Sequence, residues 1–236
     1  MLKIACSIAA LLAAAGALAA PPGPSPKAPA QCGWPQSGVG QATLPDAATY
    51  TGRFVHGLFE GKGTLVWRDG DRYVGQFRQG KFHGFGTFSG HDGTSYKGHY
   101  ANGRENGHGI YKRPDEYTYN GDFKDGRFHG RGTTAYDDGR SYEGEFRDGL
   151  WSGQGRYDDP EQFLYEGHFD GGKMHGRGRI VWTNGDWYEG EFRNNFPHGQ
   201  GACEIEGETG VCTYDKGQLT EMLRPDDLKT EGSDLI

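Results

Sequence analysis

A 23-residue phrase restarts seven times without a slip, opening at Tyr50, Tyr73, Tyr96, Tyr119, Tyr142, Tyr165 and Tyr188. Each copy runs aromatic, glycine two places on, a second aromatic, and later a Gly-x-Gly pair. A fixed period of this length means a stack of like supersecondary units, each too small to bury its own apolar face and each stabilised by its neighbours. Such arrays present recognition surface; they do not enclose catalytic clefts.

Within a copy the periodicity is two. Tyr142, Gly144 and Phe146 alternate with Glu143, Glu145 and Arg147, which is the signature of a strand with one aromatic and one polar face. A turn at Asp148-Gly149 leads to a second segment carrying Gly153, Gly155 and Tyr157 on one parity, so each unit reads as a β-hairpin. Further reversals are expected at Asp69-Gly70, Asp92-Gly93, Asn102-Gly103, Asp125-Gly126, Asp138-Gly139 and Asn184-Gly185. Glycine inside a strand costs entropy and adds no packing. Its recurrence implies that aromatic rings of one strand lie over the bare glycine positions of the next, and Leu65, Phe88, Tyr111, Tyr157 and Ile180 fall on the same face. The expected fold is all-β, an elongated, twisted single-layer antiparallel sheet of tandem hairpins.

The phrase Tyr-x-Gly-x-Phe-x-x-Gly-x-x-His-Gly-x-Gly resembles the MORN repeat. Tyr119, Gly121, Phe123, Gly126, His129, Gly130 and Gly132 match every position, and the copies opening at Tyr73 and Tyr165 match equally. Departures fall at Glu60, Asn106 and Ser152, where other copies have His, at Tyr100 in place of Phe, and at Asn195 in place of a turn glycine. The resemblance implies a scaffold whose aromatic groove docks an extended peptide or helix. The candidate groove residues are Tyr73, Phe77, Tyr96, Tyr100, Tyr119, Phe123, Tyr142, Phe146, Tyr165 and Phe169, with Trp67 and Trp182 beside them. The partner expected is a protein or peptide, with self-association as a further mode.

The flanks bound the array. Lys3, the apolar run Ile4 to Leu18 and the small-x-small end Ala17-Leu18-Ala19 read as an export signal cleaved after Ala19, placing the mature chain outside the cytoplasm, secreted or periplasmic. Residues 20–49, rich in proline and small side chains, read as an unpacked linker. The repeat domain is set at 50–217, including one terminal capping strand, and an acidic tail at 218–236.

A net charge of −7 argues against nucleic acid as a partner. The charge is uneven: residues 50–118 hold 10 basic and 7 acidic side chains, residues 119–210 hold 10 and 18. The basic end, with Arg53, Lys62, Arg68, Arg72, Arg78, Lys97, Lys112 and Arg113, makes a lipid headgroup or anionic glycan the alternative ligand.

No catalytic constellation stands out, and the chain is read as a non-enzyme without cofactor. The recurrent Gly-x-Gly lacks the third glycine and helix of a phosphate-binding loop. His83, His129, His175 and His198 recur once per unit, ~10 Å apart on strand spacing and too distant to share one metal ion, so no metal is expected. Cys203 and Cys212 are placed opposite one another if the last hairpin turns at Gly207-Glu208, and are predicted to form a disulfide capping the sheet edge in an oxidising compartment. Cys32 is left over, free or intermolecular.

Overall fold

The computed structural model describes residues 35–227, in two compact units divided between Asp138 and Gly139. All its strand pairs are antiparallel, and among the described residues there is no α-helix. In the first unit the strands are β1 (Ser37–Thr43), β2 (Thr49–Val55), β3 (Leu58–Val66), β4 (Arg72–Arg78), β5 (Lys81–Ser89), β6 (Ser95–Ala101), β7 (Arg104–Arg113), β8 (Tyr117–Lys124) and β9 (Arg127–Tyr136), each paired to the next. The second unit continues with β10 (Ser141–Arg147), β11 (Leu150–Asp159), β12 (Phe163–Asp170), β13 (Lys173–Trp182), β14 (Trp187–Arg193), β15 (Phe196–Ile205), β16 (Glu208–Asp215) and β17 (Gln218–Leu223), again each paired to the next.

The glycines divide into two jobs. Gly52 and Gly63 face each other across β2 and β3, and the Tyr50 ring lies over the pair; a methyl group built at Gly63 would come within 2.7 Å of Tyr50 Cζ. The same seat recurs under all seven opening tyrosines, down to Gly190 and Gly201 beneath Tyr188. The first glycine of each Gly-x-Gly does something else. Gly61, Gly84, Gly107, Gly130, Gly153, Gly176 and Gly199 have φ between 60° and 83° and sit where the register slips in a β-bulge. One glycine admits the ring and the other bends the strand around it.

The inner face is therefore a continuous ring cluster within each unit. Tyr50 stacks on Phe59 at 3.8 Å, Tyr73 on Phe82 at 3.9 Å, Tyr119 on Phe128 at 3.7 Å and Tyr142 on Trp151 at 4.4 Å. Each opening tyrosine also meets the aromatic of its own strand edge-on, and Tyr50, Tyr73, Tyr96, Tyr142 and Tyr165 meet the next repeat's as well, as Tyr73 meets Phe77 and Tyr100 at 5.1 and 5.3 Å. Such pairs add about 0.5–1.5 kcal/mol each beyond area burial. Burial of the phenol demands a hydrogen bond: Tyr50, Tyr73, Tyr96, Tyr119, Tyr142 and Tyr165 all donate to the carbonyl three residues on, at 2.8–3.0 Å.

Turns are also of two kinds. Asn102-Gly103, Asp125-Gly126 and Asp148-Gly149 place both residues at positive φ, as two-residue hairpins require. Asp69-Gly70, Asp92-Gly93 and Asn184-Gly185, expected to be equally tight, lie in longer loops where only the glycine is left-handed and the Asp or Asn side chain accepts a backbone N–H two residues on. The tight turns tie successive repeats together, since the N–H groups of Gly80, Gly103, Gly126 and Gly172 donate to the carbonyls of Phe59, Phe82, Glu105 and Trp151, all at 2.9 Å.

Both proposed boundaries of the array move outward. Residues 37–43 of the expected linker form β1, with Gly40 opposite Gly52 and Ala42, Leu44 and Ala48 buried. Gly38 and Gly40 stand one full period before Gly61 and Gly63, so β1 holds the phase of a second hairpin strand, and Pro35 packs against Gly40. At the other end the tail begins as a strand: Lys216-Gly217 supplies one more two-residue turn and β17 covers β16. Leu219, Met222 and Leu223 lie on that strand. The export signal, the first part of the linker and Cys32 lie outside the described residues.

Candidate functional site

Ten of the twelve groove residues are core. Tyr73, Phe77, Tyr96, Tyr100, Tyr119, Phe123, Tyr142, Phe146, Tyr165 and Phe169 are each at most 4% exposed. Rings that fill one another's edges and seat on glycine backbone have no face left for a ligand, so the open groove is not there. Burial also drives the phenols up, Tyr50 to about 12. Trp67 and Trp182 remain half-buried, Trp67 edge-on to Phe82 and Phe88 at 6.2 and 6.1 Å, and Trp182 opposite Phe163.

Cys203 and Cys212 are bonded, with sulfurs 2.07 Å apart and both side chains buried. The register differs from the expected one. The hairpin turns one residue earlier, at Glu206-Gly207, so Cys203 faces Gly210 and Cys212 faces Gly201. The bridge runs diagonally between Cα atoms 5.8 Å apart, passing over positions without side chains. It also does not cap an edge, because β17 lies beyond β16.

One core position breaks the apolar rule. The residue nine places after each opening tyrosine is Phe59, Phe82, Phe128, Trp151, Met174 or Pro197 in six repeats, and Glu105 in the third. Glu105 is 3% exposed, faces Tyr100 across β6 and β7, and its Oε2 has no hydrogen-bond partner. Burial pushes its carboxyl up to about 7. The signal was present in the sequence as an acid in an apolar column.

With the inner face closed, the side chains available to other molecules are those of the opposite parity, and here the two units differ. Strands β1–β9 carry twelve Lys and Arg, all exposed, and three acids. Of these acids Glu105 is buried, Glu60 accepts the Gln79 N–H at 3.0 Å, and Asp122 lies 3.4 Å from His108 Nδ1. Strands β10–β17 carry six Lys and Arg and twelve acids, arranged so that Glu143, Arg156, Glu166, Arg179 and Glu189 form one cross-strand row. Neighbours in that row pair, Arg156 with Glu166 at 3.7 Å and Arg179 with Glu189 at 3.4 Å, while the Arg179 guanidinium sits 4.3 Å from the centre of the Trp187 ring. In the first unit the acids have moved into loops, as at Asp69, Asp71, Asp92, Asp115 and Asp125. The segment totals understate this sorting.

The first unit also holds all the strongly exposed large apolar side chains among the described residues: Val39, Val66, Val74, Phe85 and Ile110. A different cluster joins successive loops, where Asp69, Asp71 and His91 bring ligand-type atoms within 4.8 Å of one another. Asp71 Oδ1 accepts from the His91 N–H at 2.9 Å and contacts its Nδ1 at 2.7 Å, and this hydrogen bond raises the imidazole pKa. Of the recurrent histidines, His198 lies 3.8 Å from Asp215, and His83 and His129 stand opposite Gln76 and Asp122 at the bulges.

The fold and the ring-on-glycine core define a β-hairpin repeat protein with closed inner and open outer faces. The MORN repeat model matches residues 50–72, 73–95, 96–116, 119–139, 142–161, 165–187 and 188–204, and the chain belongs to that family. No curated protein sequence matches it. Among solved structures, the chain is similar to the TCP domain of SAS-4 (dCPAP) from Drosophila melanogaster in complex with a proline-rich motif of Ana2, at 10% identity and a TM-score of 0.40, over 79% of this chain and 98% of that one. It is also similar to the wild-type TCP10 domain of Danio rerio CPAP in complex with a STIL peptide, at 14% identity and a TM-score of 0.23, over 78% and 98%.

Proposed function

We propose that the chain is a non-catalytic scaffold that binds a protein or peptide partner through the outer faces of its strands. The observation that carries this is the full consumption of the aromatic stripe as core. What is left exposed is a broad strand face, basic and dotted with apolar side chains in the first unit, acid–base paired in the second. The apolar run Ile4 to Leu18 and the Cys203–Cys212 bond support an exported protein, since disulfides persist in oxidising compartments.

The test is site-specific photocross-linking in the native exported fraction, with a benzophenone amino acid at Val74, Phe85 or Leu164. Discrete adducts from these outer positions are expected. Turnover of a substrate, or the absence of any adduct, would refute the scaffold reading. Substituting Tyr119 and Phe123 by alanine is expected to unfold the repeat and not to remove a binding surface selectively. A lipid headgroup or anionic glycan is the second reading, favoured by the exposed strand cations of the first unit.

A further inference from the structure

The cations of the first unit are not scattered. Arg78 stands directly opposite Lys81, and Lys124 opposite Arg127, in the hairpins β4–β5 and β8–β9. Between them, hairpin β6–β7 places Arg104 at the matching end. Like charges facing each other across a strand pair are destabilising. Two acids reach this end: Glu60 of β3 accepts the Gln79 N–H at 3.0 Å in the turn between Arg78 and Lys81, and Asp125 sits in the turn between Lys124 and Arg127, so the five cations stay in excess. Three consecutive hairpins therefore present one cationic flank each, along a line perpendicular to the strands, with Val74, Phe85 and Ile110 exposed on the same face four to six residues further along the strands.

The spacing of that line selects an occupant. Two strands per repeat at ~4.8 Å bring a cationic flank every ~9.6 Å. A polyproline II segment rises ~3.1 Å per residue and returns to the same side every third residue, which is ~9.3 Å. A β-extended segment turns its side chains to alternate sides, so its third residue points away from the sheet. All sheet backbone groups inside this face are already paired, which leaves side chains to do the recognition. Resting on the scaffold reading above, we propose that the outer face of β4–β9 binds a proline-rich segment of a partner protein carrying an acidic residue at every third position. Its acids meet Arg78/Lys81, Arg104 and Lys124/Arg127 in turn, and its prolines lie against Val74, Phe85 and Ile110.

The probe is a fluorescent peptide of repeating Glu-Pro-Pro, compared with one of repeating Glu-Pro-Pro-Pro and with dextran sulfate and phosphatidylserine vesicles. The Glu-Pro-Pro peptide should bind the full chain on the order of tenfold tighter than the four-residue repeat, and replacing the five cations by serine should weaken it on the order of tenfold or more. Replacing Arg156, Arg177 and Arg179 in the second unit should change it less than about twofold. All eight positions are exposed, and circular dichroism of the variants confirms the sheet. Equal binding of both peptides overturns the proposal, as does binding of dextran sulfate or vesicles without peptide binding, or no binding at all. Photocross-links that persist in the five-serine variant sink this inference and leave the scaffold reading standing; loss of every cross-link in the unmodified chain sinks the scaffold reading instead.

Discussion

Replacing Glu105 by glutamine should remove most of the pH dependence of folding between pH 5 and 8 that distinguishes this repeat. The carboxyl rises from 4.5 in the unfolded chain to about 7 in the fold, because burial penalises the charged form. At about 1.4 kcal/mol per pH unit, the difference amounts to roughly 3 kcal/mol. The sign follows from the raised value. Below pH 4.5 the group is neutral in both states and costs nothing as a charge; as pH climbs through 7 the unfolded chain ionises freely, the fold resists, and stability is lost. Urea denaturation of wild type and Glu105→Gln at pH 5 and pH 8 measures a double difference in which other titrating groups cancel. Wild type should lose roughly 2.5 kcal/mol more than the variant, since part of the full difference is already lost at pH 5. Glu105→Phe should be the most stable of the three at pH 8, because it adds the missing stack on Tyr96, about 0.5–1.5 kcal/mol. Parallel pH profiles for wild type and Glu105→Gln would show that the carboxyl is hydrated, and the argument from burial would fail.

Other consequences are as direct. Gly132→Ala should cost about 1–3 kcal/mol, because a methyl group there meets the Tyr119 ring, while Arg131→Ala next to it should stay within about 0.5 kcal/mol; paired urea melts decide. Thr134→Val should stabilise by about 1 kcal/mol, since Thr134 is fully buried with an unpartnered Oγ1 and valine keeps its shape; a thermal melt at or below the wild-type midpoint would count against this. Cys203→Ser with Cys212→Ser should cost about 2–4 kcal/mol and abolish the effect of reductant on the melting temperature.

The hairpin architecture was legible because ring and glycine alternate at fixed spacing, and that pairing has one physical solution: the ring lies where no side chain stands. The groove was misread for the same reason. Counting large apolar residues on one face cannot tell whether the sheet leaves them open or curls them into contact, and the bulge glycines at Gly61 and its equivalents, which set that curvature, look in sequence like more ring seats. One terminal capping strand was legible, and β1 and β17 beyond it were not, because they lack the opening tyrosine, although Gly38 and Gly40 keep the phase. The charge sorting was hidden by counting along the chain, where loop acids such as Asp69 and Asp71 sit beside strand bases such as Arg72.

The bond from a tight-turn amide to a carbonyl 21 residues back, as from Gly80 to Phe59, from Gly103 to Phe82 and from Gly126 to Glu105, makes repeat length a quantised variable. Loss or gain of a residue or two inside a copy shifts every donor past its acceptor, whereas duplication or excision of a whole copy leaves all junctions chemically unchanged. Selection can therefore lengthen or shorten the array by complete copies, and can rewrite outward-facing letters within each, without renegotiating how one copy grips the next.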